Sequence, residues 1–210
     1  MKRCAAILSA MVLAAGCYAE APKPDADGWY TLFDGKSLDG WKASEKAASF
    51  SVRDGMLCVE DGRSHLFYMG PACDHNFTNF ELKLDVMTTP GANSGVFFHT
   101  QWQERGWPRL GFEAQVNTTH RDRVKTGSIY HVRDVLDKAP SKDNVWFAYT
   151  LRVRGKRVVV EVDGKVVNDY TEPAAVQGAR KLSSGTVAIQ GHDPRSKVYY
   201  KNIKIKPLPD

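Results

Sequence analysis

The sequence predicts an all-β fold, two antiparallel sheets packed face to face in a jelly-roll sandwich. Three observations predict it. Short runs in which apolar and polar residues alternate recur along the chain, as in Phe80–Val86 and Tyr149–Arg154. Asp54-Gly55 and Asp163-Gly164 sit between such runs, and this dipeptide is the one that two-residue hairpins favour. No segment has convincing helical periodicity, while 17 Gly and 10 Pro punctuate the chain. The absence of a fixed repeat period argues against a propeller or a β-helix.

The chain starts with a segment that stands apart from this pattern. Lys2 and Arg3 precede an apolar stretch, Cys4–Ala15, too short to span a bilayer comfortably, so residues 1–19 are expected to be an export signal. Two exits are open. Cys17-Tyr18-Ala19 or Ala19-Glu20-Ala21 suits an ordinary signal peptidase. Leu13-Ala14-Ala15-Gly16-Cys17 resembles a lipobox, in which Cys17 would carry lipid and attach the chain to a membrane, although Ala14 stands where such boxes usually carry Leu. Residues 20–27, with Pro22 and Pro24, follow as a flexible tether. No linker or low-complexity run divides residues 28–210, which are expected to form one domain in the periplasm or cell envelope.

Along that domain, Gly28–Trp41 gives a strand and a glycine-punctuated loop. Phe50–Val59 is a hairpin, and Phe80–Val86 alternates cleanly. Pro90-Gly91 breaks the chain before three segments that share one property: Asn93–His99, Gly111–Val116 and Lys125–Tyr130. Each is expected to be a strand with one apolar face and one face too polar for a buried core. In the second, Phe112, Ala114 and Val116 alternate with Glu113, Gln115 and Asn117. Val132–Lys138 has room for a single helical turn within a polar excursion. Hairpins then return through Tyr149–Val167, and Gly185–Gln190 and Val198–Ile205 close a count of about eleven to thirteen strands.

Composition excludes several functions. The formal charge of +5 falls to +3 once Lys2 and Arg3 are removed, and the basic run Arg152–Arg157 is interrupted by apolar residues and a turn glycine. That is the solvated face of a hairpin, and no nucleic-acid partner is expected. Of four cysteines, Cys58 and Cys73 lie in the domain. An oxidising compartment favours a bridge between them, closing a loop of about 15 residues worth roughly 3 kcal/mol; two buried thiols are the alternative. The six histidines show no local metal motif. A composite site for a divalent metal stays open.

If the three polar-faced strands are neighbours, they build a wall of carboxylate, amide, imidazole and phenol suited to a carbohydrate. Glu113 and His99 are the candidate catalytic groups. Asn93, Gln101, Gln115, Asn117, Lys125, Tyr130, Gln190 and His192 are candidates for binding hydroxyls, and Trp107 for stacking on a sugar ring. A solvated Glu113 and a structural His99 are the plainer readings. Ordinary glycoside hydrolysis needs two carboxylates about 5 Å apart, or further for inversion, yet no second acid shares the Glu113 strand face. Glu104, Asp122 and Asp134 lie in the intervening loops, and the fold could bring one of them close, which would favour an ordinary hydrolase of another bond.

The segments Leu32–Trp41, Asn93–Val96, Glu113 with Gln115, Lys125–Tyr130 and Tyr200–Ile205, in this order, resemble the 3-keto-disaccharide hydrolase domain family, a concanavalin A-like lectin/glucanase jelly roll. The resemblance runs from Gly28 to Leu208. It implies cleavage of glycosides already oxidised at C3 by a separate oxidoreductase. One base would remove the acidified C2 proton and expel the C1 substituent, with donors for the enolate and a divalent cation as further help. By position it makes Glu113 and Gln115 the central pair, lined or braced by Asn93, Lys125 and Tyr130. His99 departs from the pattern, since many relatives carry Arg there. A non-catalytic, lectin-like binding domain is the alternative that the same fold allows.

Overall fold

A computed structural model describes residues 22–210. The expected export signal, including Cys4 and Cys17, lies outside the described residues. Of the expected tether, Asp25 already starts an ordered turn, its backbone and side chain accepting hydrogen bonds from Asp27, Gly28 and Trp29.

Thirteen antiparallel strands form two sheets, and the described residues contain no α-helix, only 3-10 turns at Ala47–Ser49 and Ala72–His75. The strands are β1 (Tyr30–Thr31), β2 (Trp41–Ala43), β3 (Phe50–Arg53), β4 (Met56–Val59), β5 (Ser64–Tyr68), β6 (Phe80–Thr88) and β7 (Asn93–Thr100). They continue with β8 (Phe112–Asn117), β9 (Phe147–Arg154), β10 (Arg157–Val162), β11 (Lys165–Thr171), β12 (Thr186–Gly191) and β13 (Val198–Pro207). The larger sheet runs β11-β10-β9-β6-β13-β4-β3, with β1 against β13; the smaller runs β2-β5-β12-β7-β8. The Asp-Gly hairpins form where the sequence places them, with positive φ at Asp54 and Gly55 and at Asp163 and Gly164.

The core lies between the sheets. Leu82, Leu84 and Val86 of β6, Tyr149, Leu151 and Val153 of β9, and Tyr200, Ile203 and Ile205 of β13 meet Val96 and Phe98 of β7, Phe112, Ala114 and Val116 of β8, and Val187 and Ile189 of β12. Alternation puts the other residues of β7, β8 and β12 on the far face of the small sheet. There they are buried as well, because the loops at 101–111, 118–146 and 172–185 fold over that face.

Cys58 and Cys73 are both free thiols. Leu57 and Val59 point into the core, so Cys58 between them points out of the sandwich, whereas Cys73 packs against the core from the 72–75 turn. The expected bridge does not form because the two thiols lie on opposite faces of the larger sheet.

Candidate functional site

The far face of the small sheet carries a cavity of about 340 Å3, within the range of small-molecule sites. The register of the two central strands builds its floor. Gly95 lies opposite Gln115, and Phe97 opposite Glu113, on the same side. Gln190 comes from β12, the neighbour of β7. Tyr130 closes one side, while Trp107 and Pro108 from the 101–111 loop, Arg180 from the 172–185 loop and His192 after β12 complete the wall.

Glu113 sits at the centre of this floor and is 6% exposed. Gln190 Nε2 donates to its Oε1 at 2.7 Å. The Gln115 amide, with its nitrogen turned to two acceptors, donates to Ser94 C=O at 2.8 Å and to the same Oε1 at 3.3 Å. No protein group among the described residues bonds Oε2. Burial pushes the carboxyl from 4.5 up to about 8, against the pull of the Gln190 hydrogen bond and the Arg180 charge. Gly95 is what admits this side chain: a Cβ there would stand 2.9 Å from Glu113 Cδ and Cγ and overlap Oε1.

The core side braces the same strands. Tyr149 OH donates to Gln115 C=O at 3.1 Å. Tyr200 OH donates to Ser94 Oγ at 2.6 Å, and that hydroxyl in turn donates to Gln190 C=O. Two phenols of the larger sheet therefore hold the backbone behind both glutamines.

Several residues expected in the site sit elsewhere. His99 is the extra residue of a β-bulge: Thr186 and Val187 pair with Thr100 and Phe98, and His99 between them takes φ +53°. That conformation turns the ring off the cavity face and onto Phe80 and Phe98. Its Nε2 bonds Thr78 C=O at 2.8 Å and its Nδ1 accepts from Ser183 N–H at 3.0 Å. His99 is a buried structural histidine, held neutral by desolvation, not a group that meets Glu113. Gln101 leaves the strand at its end and faces a separate exposed groove with Trp102.

The third segment, Lys125–Tyr130, is not a strand. It runs beside β8 as an irregular edge, with Tyr130 N–H on Glu113 C=O at 2.9 Å and Gln115 N–H on Ser128 C=O at 2.9 Å. Lys125 and Asn117 do not line the cavity; they knit the 118–124 loop together. Lys125 Nζ donates to the carbonyls of His120 and Asp122, both at 2.7 Å, and Asn117 Nδ2 to those of Asp122 and Val124 at 3.0 and 2.7 Å. Tyr130 does line the cavity and its OH donates to Asp122 Oδ2 at 3.1 Å. Asn93 and His192 line it too, beside His120 and Asp193. Of Glu104, Asp122 and Asp134, none lines it, so Glu113 is the sole carboxyl among the described residues that do.

Sequence reasoning missed Arg180, Phe97 and His120. Arg180 donates to Tyr130 C=O at 2.7 Å from a loop with no strand pattern. That loop is pinned from below, where buried Glu172 accepts from Leu182 N–H and Lys156 Nζ, both at 2.6 Å, and His99 accepts from Ser183. Only Phe97 had a readable signal, its parity with Gly95 on the polar face of β7.

The fold and sequence have recognisable relatives. A solved structure of a candidate glycosyl hydrolase from Parabacteroides distasonis superposes with a TM-score of 0.73 at 24% identity, covering 88% of this chain and 95% of that one. A carbohydrate-binding module from Bacillus subtilis does so at 0.56 and 13%, covering 80% and 95%. Both likenesses are of fold. A 3-keto-disaccharide hydrolase of Bacteroides thetaiotaomicron is 33% identical over 84 residues, a stretch that is 37% of this chain and 29% of that protein. The profile of the 3-keto-alpha-glucoside-1,2-lyase-like domain matches residues 28–206, both sheets and every wall of the cavity. The chain belongs to the 3-keto-alpha-glucoside-1,2-lyase-like domain family.

Proposed function

We propose that this protein cleaves glycosides whose sugar ring carries a ketone at C3. The observation that carries the proposal is the single carboxyl in the cavity, buried and pushed to about 8, with no second acid lining the site. Two-carboxylate hydrolysis would need a second acid facing the bond, and no other carboxyl among the described residues lines the cavity. A ketone at C3 changes what is needed, because it acidifies the C2 hydrogen and one base suffices. The Glu113 carboxylate removes the C2 proton, and the electron pair moves into the C2–C3 bond as an enolate. Collapse of the enolate forms a C1–C2 double bond and breaks the bond from C1 to the departing oxygen. Glu113 returns its proton to that oxygen, giving an alcohol and a 1,2-unsaturated 3-ketose. Addition of water across the new double bond makes the net change a hydrolysis.

The surrounding groups fit these steps. A carboxylate with a pKa near 8 is a stronger base than an ordinary glutamate. Gln190 and Arg180 offer N–H groups for ring hydroxyls and developing negative charge, the Tyr130 oxygen offers an acceptor, and Trp107, 44% exposed, offers a face for the sugar. The substrate would come from a glycoside 3-oxidoreductase. The charged and apolar start of the chain supports export to the periplasm or envelope, with Cys17 as a lipid anchor if the lipobox is used.

The test is incubation of the purified protein with a 3-keto-glucoside, following products by mass. Release of the aglycone with the enone or 3-keto-glucose, abolished in Glu113→Gln, is expected. Silence with several 3-keto substrates, alongside binding of an unoxidised glycan, would replace the proposal with the lectin-like reading.

A further inference from the structure

We infer that the cavity floor continues beneath Trp107 into a second subsite, where His65 and Gln190 Oε1 together bind one ring hydroxyl of the sugar. The register of β5 on β12 sets His65 directly opposite Gln190. Leu66 and Tyr68 of β5 point into the core, so His65 shares the far face of the small sheet with Gln190. The Cβ atoms of such a cross-strand pair stand about 4.5–5.5 Å apart. Trp107, which lines the cavity, packs edge-on over His65, with ring centroids 5.4 Å apart at 77°. Phe97 meets the same imidazole at 5.3 Å and 82°.

The polar groups of this pair are unspent. His65 is fully buried, yet neither of its ring nitrogens has a hydrogen-bond partner among the described residues. Beside it, Gln190 commits its amide nitrogen to Glu113, and its Oε1 is likewise buried and unpartnered. A buried polar group without a partner is destabilising and uncommon, and two on register-paired neighbours point to a shared occupant. Burial lowers the imidazole pKa to about 4, so the neutral ring offers one N–H and one bare nitrogen. A hydroxyl complements the pair, because it donates to Gln190 Oε1 and accepts from the imidazole N–H at once. An anionic group fits poorly, since it would face the amide oxygen.

Trp107 is placed to uncover this position without unfolding its loop. The loop backbone is pinned, with Gly106 N–H donating to Glu45 Oε1 and Gln103 Nε2 to Trp107 C=O, both at 2.9 Å. The indole itself is exposed and rests against His65, against His192 at 5.5 Å and under the Arg63 guanidinium at 5.6 Å. Rotation of that one side chain opens His65 to the cavity and leaves the indole free to close on the sugar. Gln190 ties the subsite to the base, since the amide that holds Glu113 is the one whose oxygen takes the hydroxyl. An occupied subsite therefore fixes the sugar ring relative to the carboxyl. That use rests on the proposed function; the subsite itself does not.

The experiment follows isotope-labelled histidine ring nitrogens by NMR. The wild type is titrated with methyl glucoside, and Glu113→Gln with a 3-keto-glucoside. His65→Phe, which keeps an aromatic ring beside Phe97 and Trp107, assigns the His65 signals by their loss. A His65 nitrogen is expected to shift as the sugar saturates, while those of His99 stay in place. In turnover, His65→Phe should lower kcat/KM for a 3-keto-glucoside by about 10-fold or more, mainly through KM. One of the 2-, 4- and 6-deoxy analogues should lose as much with the wild type and little further with the variant. The variant should melt no lower than the wild type, since an unpartnered imidazole gives way to an apolar ring. Unmoved His65 signals at saturation, equal kcat/KM, or a melting temperature several degrees lower, the mark of a structural histidine, overturn the inference. A His65 shift without turnover of any 3-keto-glycoside leaves the subsite standing and sinks the proposed function. Turnover with unmoved signals does the reverse, and failure of both sugars to bind removes both.

Discussion

The two sheets obey different rules. In the larger one, β6 and β9 alternate buried and exposed residues, and the outward face is a lattice of charges in which Arg152 bridges Glu81 and Glu161. In the smaller one, β7, β8 and β12 are buried on both faces, yet the far face holds Glu113, Gln115 and Gln190. A strand buried on both sides is ordinarily apolar throughout. Keeping a carboxyl and two amides there costs desolvation that only mutual hydrogen bonding offsets. One sheet is an outer wall and the other the base of a site. The difference is written in which polar residues the loops cover.

The largest effect should come from Glu113→Gln. Loss of the base is expected to lower kcat/KM for a 3-keto-glucoside by about 1,000-fold. In the wild type kcat/KM should rise with pH through about 8, as the carboxyl ionises. Stability should move the other way. The folded carboxyl has a pKa of about 8 against 4.5 for an ordinary one. Below pH 4.5 both folded and unfolded chains hold the proton, and nothing is lost. As pH climbs toward 8 the unfolded chain releases it first, so stability declines across that window, by on the order of 3 kcal/mol at pH 7. Urea denaturation from pH 5 to 8 should show that decline in the wild type and a flatter profile in Glu113→Gln. Equal slopes would remove the distinction between the two sheets.

Gly95→Ala should come next. The added methyl drives Glu113 off its two amides, with an expected loss of about 100-fold in kcat and of about 1–3 kcal/mol in stability. If kcat holds while only KM changes, the floor is less rigid than described. His99→Ala sharpens the comparison differently, because the residue belongs to the small sheet but faces the core side. It should destabilise by about 1–3 kcal/mol, through the Ser183 and Thr78 groups left unpaired, and leave the pH midpoint of catalysis in place. A shifted midpoint would return His99 to the chemistry. Trp107→Ala should raise KM about 10-fold with little change in kcat. Arg152→Ala, on the outer face of the large sheet, should cost under about 1 kcal/mol and leave kinetics untouched.

The large sheet was legible in the sequence because its strands obey a period of two and its hairpins carry Asp-Gly. The polar face of β7 and β8 was legible for the same reason, and with it Glu113 and Gln115. What local pattern could not reveal is where alternation fails. The bulge at His99 inverts one residue through a register shift set by β12, which lies some ninety residues away in sequence. Lys125 and Asn117 share the polarity of binding residues, but their groups are consumed by carbonyls of their own loop. Arg180 and His120 come from irregular segments whose path is set by tertiary anchors such as Glu172 and Lys125. The thiol pair failed on a similar point, since spacing says nothing of which side of a sheet a residue occupies.

The hydroxyls of Tyr149 and Tyr200 reach across the sandwich from one sheet to the other, Tyr149 to the Gln115 carbonyl directly and Tyr200 to the Gln190 carbonyl through the Ser94 hydroxyl. Sandwich thickness is therefore a functional variable: whatever lets the sheets breathe apart by a fraction of an ångström slackens the two amides that hold Glu113 before any strand is lost. Warming should silence the protein some degrees ahead of its unfolding, and replacing either phenol by phenylalanine should widen that interval.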